Sequence, residues 1–312
     1  MLVVVTLILL ALVLQAPHPT EPSTTAIHHG RTVQVPEDHH SIAEALASSQ
    51  PNDRILIGPG TYYETLELPN HDVMLASTDG PEVTMIDGGS NSLHAPPQPS
   101  LLSGSVIRMG PYAGQVELQG LTIQHGWSNE GGGLRVAGGM MTAKDCHFKR
   151  CNSIFGGAVG VLGGRVELQQ CTLVDCGATF GGGVAVITGE LGLNNTSTER
   201  CIAQASGGGA WCDNGGTLNA RDCTWKHCHA AQGGGLGIQG FVQLENSSVQ
   251  HCRSEGHGGG LQLTAAASGM LRSMKFGKNQ AAKGGGIPFE AGASLSGEHV
   301  MYGRSRRRVG HA

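Results

Sequence analysis

The chain is short of aromatic residues, at 4%, and of charge, at 14%, with a formal net charge of −4. No extended basic patch interrupts it before the last few residues, which argues against a nucleic-acid surface. Glycine is abundant, 50 of 312 residues, about twice the usual share. It keeps no Gly-X-Y period, so a collagen triple helix is excluded. Over the glycine-rich part no apolar residues recur at the spacing of three to four that a helix needs. The longest apolar run, Leu2 to Leu14, has thirteen residues including one Thr. A bilayer span needs about 20.

That run suits the apolar region of a secretory signal, although no basic residue precedes it and Pro17 is a poor context for cleavage. Residues 1–16 are therefore expected to be a signal peptide or short anchor, which would be the chain's only link to a membrane. Residues 17–29, rich in Pro, Thr, Ser and His, read as a linker. The protein is expected outside the cell or at its surface, with membrane anchoring as the alternative.

The strongest signal is a repeat. A glycine pair or triplet followed by an apolar residue begins at 131, 156, 181, 207, 233, 258 and 284, at spacings of 25, 25, 26, 26, 25 and 26. Within one period, GGAVGVLGGRVELQQCTLVDC from Gly156 to Cys176, three short segments alternate with period two: Val159/Val161, Val166/Leu168 and Cys171/Leu173. Period two is the mark of a strand. A strand set that repeats its inward residues cannot bury them alone and must stack on its copies. The prediction is an all-β fold, a three-sided solenoid of about 25 residues per coil: a right-handed single-stranded parallel β-helix. Each coil should rise about 4.8 Å. The glycines fall at the corner leading into the first strand, where φ can be positive. Residues 30–130 read as an N-terminal cap and first coils, 131–300 as the glycine-rich coils and 301–312 as a basic tail.

Eight of the nine cysteines keep the same beat. Cys151, Cys176, Cys201, Cys228 and Cys252 precede the glycines by five or six residues, and Cys146, Cys171 and Cys223 by ten; Cys212 lies on a first strand. The pairs spaced C-x4-C suggest zinc. However, other coils put Leu121, Ser248 or Met274 in one column and Gly126 or Asn279 in the other. A zinc tetrad does not tolerate that drift. Internal ladders of stacked thiols do, so no metal and no cofactor is expected. Disulfides between neighbouring coils stay open, since stacked Cα atoms are within bridging range.

Phe276-Gly-Lys-Asn279 followed by Gly284-Gly-Gly-Ile287 resembles the paired FxxN and GGA[IVL] repeats of the polymorphic outer membrane proteins. Phe148-Lys-Arg-Cys151, Leu173-Val-Asp-Cys176 and Trp225-Lys-His-Cys228 fill the same slot with Cys in place of Asn. The resemblance spans roughly 115–300 and implies a surface-exposed β-helical passenger with a part in adhesion. The C-terminal membrane barrel of that family has no counterpart here. Residues 31–125 resemble the start of a pectin-lyase-like β-helix. Thr32–Val35 reads as a first strand. Ser41-Ile-Ala-Glu44 reads as a capping box opening a short helix to about Ser49 that covers the end of the core. Arg54-Ile-Leu-Ile-Gly-Pro-Gly-Thr-Tyr-Tyr-Glu64 follows. Ser90 to Ser103, with Pro96, Pro97 and Pro99, reads as one long irregular insertion.

Pectin-lyase-like proteins include pectate lyases, pectin methylesterases and polygalacturonases, so the resemblance raises the question of catalysis. Such chemistry needs convergent outward groups, and glycosidases need two carboxylates. The outward residues of the first-strand face are Arg135, Gly160, Ala185, Trp211, Gly237, Gln262 and Pro288, with no carboxylates converging. Asp213 and Glu290 flank that face about three coils apart. His227 and His251 occupy near-equivalent slots beside Lys226. His257, in Gly256-His257-Gly258, matches the Gly-His-Gly of polygalacturonases, but their paired acids and Arg-x-Lys have no match. Its slot is filled by Glu130, Phe155, Phe180, Ser206, Gln232 and Lys283 in other coils, so it reads as a variable corner. Trp211, outward in a row of small residues, is the candidate for stacking on a sugar. Asn194, Asn195 and Asn246 open glycosylation patterns. The expectation is a secreted or surface β-helical module for adhesion, scaffolding or glycan contact without catalysis, with extracellular polysaccharide or surface glycan as partner. A polysaccharide-acting enzyme on the same fold is the alternative. A groove holding two carboxylates, or a carboxylate with Arg or His, within about 10 Å would favour the alternative.

Overall fold

The structure is a computed structural model and describes residues 30–89, 104–287, 293–302 and 306–307. The segments expected to be a signal peptide or anchor (1–16) and a linker (17–29), the expected insertion 90–103, Pro288, Glu290 and most of residues 301–312 lie outside the described residues. Among the described residues no helix is long and apolar enough to cross a membrane.

All strand pairings are parallel and join one coil to the next. Leu134 pairs with Val159, Val159 with Val184, Val184 with Ala210, Ala210 with Leu236 and Leu236 with Leu261. The register therefore steps by the repeat length found in the sequence. The result is a parallel β-helix, and parallel crossovers of this kind are right-handed in almost all proteins. The pairing passes position 130 without a break, since Ile107 pairs with Leu134 and Val116 pairs with Met141 through the register of 115–119 with 140–144.

The coil has four strands, not the three expected. In the period from Gly156 these are Val159–Val161, Arg165–Gln169, Thr172–Val174 and Gly177–Phe180. Among the described residues they still make three sheets, of seventeen, ten and eight strands. The first two rows share a sheet because they fuse into single long strands at Val184–Asn194 and Ala210–Arg221. The eight-stranded sheet is the one the alternation did not reveal. Its inward residues are Ser128, Ser153, Ala178, Ala203, Ala230 and Ser254, all buried. These side chains are too small to stand out as apolar.

Inward side chains stack in columns. Val136, Val161, Val186, Cys212, Ile238 and Leu263 form one, and Ile123, Phe148, Leu173, Thr198, Trp225, Val249 and Phe276 another. All belong to a single continuous core except Thr198, which is also buried. Each full coil turns three sharp corners through a left-handed residue, and three coils add a fourth left-handed position between their first two strand rows, at Gly139, Gly164 and Gly189. Gly131, Gly156, Gly181, Gly207, Gly233, Gly258 and Gly284 take φ of 57 to 71° at the first. Asp145, Gln170, Asn195, Asp222, Asn246 and Ser273 turn the second, and Arg150, Asp175, Arg200, His227, His251 and Lys278 the third, at φ of 48 to 56°.

The later glycines of each triplet serve packing instead. A Cβ at Gly157 would lie 2.2 Å from the carbonyl oxygen of Gly182 in the next coil. The third position faces inward: at Gly209 a Cβ would meet the Trp225 ring at 2.5 Å. At Gly183 and Gly235 it would meet Thr198 and Val249 at 2.9 and 2.5 Å.

At the N-terminus, Thr32–Val35 pairs with Asp53–Ile57, which pairs with Val73–Ser77. The helix spans Ile42–Ala47 and lays Ile42, Ala45 and Leu46 into the core. Ser41 Oγ accepts from Glu44 N at 3.1 Å, while the Glu44 carboxylate accepts from His40 N rather than Ser41 N. The remaining amides of the first turn, Ile42 N and Ala43 N, donate to Glu64 at 3.1 and 2.9 Å. Buried Asp53 accepts from Arg31 Nη2 at 2.7 Å and from the amides of Arg31 and Gln50.

Candidate functional site

Trp211 is not an exposed platform. It points away from the core, as expected, but is only 4% exposed. Phe155 and Phe180 precede the glycine corners of two successive coils and stack on each other at 5.5 Å. Trp211 leans over the small Ala185 and packs against them at 4.9 Å from Phe180 and 5.8 Å from Phe155. The ring faces a sugar would use are taken by aromatic neighbours. The small Ala185, in register with Trp211 on the preceding coil, makes room for this cluster, not for a ligand.

His257 sits half-buried in the column of Gln232 and Lys283. Its amide donates to Gln232 Oε1 at 2.8 Å and its carbonyl accepts from Ser254 Oγ at 2.9 Å. These are backbone roles that any residue at this corner can fill. His227 and His251 do come together, with ring centroids 5.0 Å apart and both side chains exposed.

All nine cysteines are free and buried. The columns hold, with one correction: the member beside Cys223 is Ser247, whose Oγ accepts from Cys223 N at 2.9 Å, and not Ser248, which faces outward opposite Thr224. Thr196 fills the remaining slot and donates to Leu168 O and Asn194 O, as Cys171 does to Ala143 O and Gln169 O one coil earlier. Burial pushes the thiols of Cys146, Cys151 and Cys201 well up, Cys212 up to about 12 and Cys223 to about 11. These five are therefore protonated packing groups at neutral pH, whereas the hydrogen bond from the Cys146 thiol pushes Cys171 down. Among the described residues no group of three or more His, Cys, Asp or Glu is arranged to hold a metal ion. Asn194, Asn195 and Asn246 are exposed, and Asn246 Nδ2 donates to Asp222 Oδ1.

A cluster of convergent polar groups lies on a row that alternation alone did not single out, the outward side of the second strands. There Gly192 interrupts a line of side chains, between Glu167 and Asn219 in register, and the Glu167 carboxylate lies over it, where a Cβ would be 2.1 Å from Oε2. Around it is a shallow depression of about 330 Å³ lined by Arg165, Glu167, Glu190, Asn219, Arg221 and Glu245, among others. Arg165 bridges the two central carboxylates, with Nη2 2.9 Å from Glu167 Oε1 and Nη1 3.5 Å from Glu190 Oε2. Asn219 Nδ2 donates to the other oxygen of Glu190 at 2.8 Å, and Arg221 pairs with Glu245 at 2.7 Å. The signal was present in the sequence as the RVELQ segment and its counterparts. Only the stacking brings Glu190 of the next coil beside Glu167.

A carboxylate–imidazole pair was also not singled out in the sequence. Buried Asp87 accepts from Gly89 N at 2.8 Å and from Gln124 Nε2 at 2.8 Å, and lies 2.9 Å from His125 Nδ1. Its amide, imidazole and side-chain partners outweigh its burial and hold its carboxyl below the usual range.

No family model matches the chain, and no curated protein matches it. Among solved structures, it is similar to a pectin methylesterase from carrot, with 14% identity over 88% of this chain and 90% of that one, at a TM-score of 0.40. It is also similar to the pectate lyase Pel9A, with 14% identity over 85% of this chain and 73% of that one, at a TM-score of 0.36. The chain's own coil register makes it a parallel β-helix, the fold that its N-terminal resemblance to pectin-lyase-like proteins implies.

Proposed function

We propose that the protein is a secreted or surface β-helical module that contacts polysaccharide or surface glycan through the depression at Gly192. The observation that carries this reading is the mixture of groups that converge where Gly192 lets the Glu167 carboxylate lie across the row. Carboxylates accept, while guanidinium and amide groups donate, and all are held in place by mutual hydrogen bonds before a ligand arrives. Sugar hydroxyls both donate and accept, so such a surface can exchange its internal bonds for bonds to a sugar. Each carboxylate is already neutralised by Arg165 or paired with Asn219, which suits binding better than proton transfer.

The enzymatic reading has one specific observation in its favour. Glu167 and Glu190 share a guanidinium, so the depression holds the two carboxylates that glycoside hydrolysis requires. A glycan array, followed by product analysis on each bound glycan, separates the two. Binding that Glu167→Gln and Glu190→Gln weaken at least tenfold, without products, is the expected result. New reducing ends or unsaturated products that disappear in both variants would replace contact by catalysis. Binding unchanged in both variants would remove the depression from the function.

A further inference from the structure

The third corner of the coil changes character along the solenoid. At Asp175 and Arg200 it is neutralised: Arg200 binds Asp175 at 2.7 Å and Glu199 at 2.8 Å. In the next three coils the corner residues are His227, His251 and Lys278, with Lys226 beside the first. All four side chains are exposed. Among the described residues neither lysine has an ion-pair partner within 4 Å. The imidazoles stack 5.0 Å apart. Their backbones are locked in register, since His227 N donates to Gln250 O and His251 N to Gly277 O.

We propose that Lys226, His227, His251 and Lys278 form a pH-gated binding site for a sulfated polysaccharide running along the solenoid axis. The corner cations His227, His251 and Lys278 repeat at the coil rise, about 4.8 Å, with Lys226 beside the first. A linear polymer carrying an anionic ester on successive sugars meets one cation per coil. A sulfate ester keeps its charge throughout the accessible pH range and offers several acceptor oxygens, so one group can accept from both stacked rings. Protonating both rings without an anion places like charges side by side. Burial, and then Lys278, His227 and Lys226, push the His251 pKa down in the free protein. An anion reverses that repulsion, so binding takes up protons and tightens as the pH falls below about 6.5, the ordinary imidazole value.

Other charged groups around the rings leave this balance in place. On the preceding coil, Glu199 is opposite Lys226 in register but is held by Arg200. On the adjoining strands Arg253 adds positive charge near His229, and Glu255 lies 4.0 Å from His229. Lys275, on the following coil, adds another cation. This surface is on a different sheet from the Gly192 depression and does not depend on it.

The test is calorimetric titration of the whole chain with dextran sulfate at pH 5.5 and 7.5, with neutral dextran and a single-stranded oligonucleotide as further arms. His227→Asn with His251→Asn retains a residue type that tolerates the left-handed corner; Lys226→Gln with Lys278→Asn removes the fixed charge. The expected result is binding of dextran sulfate at least tenfold tighter at pH 5.5, a pH dependence lost in the histidine variant, and weaker binding at both pH values in the lysine variant. Circular dichroism of each variant checks that it is folded. No binding of dextran sulfate, a pH dependence that survives the histidine variant, or equal binding of the oligonucleotide would overturn the proposal.

Discussion

The three corners that recur in every full coil use the same left-handed backbone, yet only the first of these three is glycine throughout. At Gly156, with φ of 71°, an added Cβ would lie 2.0 Å from the carbonyl oxygen of Val159 and 2.9 Å from Ala185 N of the next coil. At Gln170 and Asp175, both with φ of 56°, a full side chain projects outward from the same kind of turn. The difference is crowding, not φ. The glycine corner folds tightly between neighbouring coils, so it repeats almost unchanged. The other two open to solvent and are free to vary. That freedom is why the third corner can carry Asp175 and Arg200 as an ion pair in one place and His227, His251 and Lys278 in another.

The comparison breaks most severely at a middle glycine. Gly182 is not left-handed, so only space excludes a side chain there; a Cβ would lie 2.3 Å from Gly208 O and 2.5 Å from Ile202 O. Gly182→Ala is expected to lose more than about 3 kcal/mol, since backbone must move on both sides. Urea denaturation measures it, and a loss below about 1 kcal/mol would show that the coils are not packed this closely.

The first coil lacks a glycine triplet and relies on Asp53 instead. Asp53→Asn is expected to lose about 2 kcal/mol at neutral pH, because a buried, charge-assisted bond to Arg31 is replaced by a neutral one. Burial raises the Asp53 pKa, but hydrogen bonds from Arg31 and Gln50 outweigh it and leave the group below the ordinary value. A depressed carboxylate stabilises the fold above its unfolded pKa of about 3.9 and loses that contribution as the pH falls through its folded value. Acid titration of stability should therefore show a smaller loss below pH ~4 in Asp53→Asn than in the parent chain.

The mildest change is Gln170→Gly at an open corner. Relief of the left-handed strain is offset by the extra freedom of glycine when unfolded, so the expected net is within about 0.5 kcal/mol. A loss as large as that of Gly182→Ala would mean that the Gln170 side chain has a contact that the comparison of corners overlooks.

The period, the strands and the thiol columns were legible because each rests on a local rule: glycine spacing, period-two alternation and residues recurring at fixed offsets. The fourth strand was not, because Ser153, Ala178 and Ala203 face inward without an apolar signature. Trp211 read as a free platform because its outward direction follows from alternation, whereas its cover by Phe155 and Phe180 depends on residues in two other coils. The Gly192 depression was hidden for the same reason. Glu167 and Glu190 lie 23 positions apart, and only the coil register brings them to one guanidinium. Side-chain direction along a strand can be read from a sequence, but neighbours across coils need the register to the residue.

The coil as a unit set by its corners can be tested by removing one. Deleting residues 131–155, from Gly131 to Phe155, joins Glu130 to Gly156 and takes out one 25-residue period in register. Deleting only 131–142 takes out about half of it. Urea unfolding followed by circular dichroism should show the first variant folded, with one cooperative transition and a smaller denaturant slope, and the second unfolded. If both variants unfold alike, or both fold alike, the coils are not interchangeable units in register.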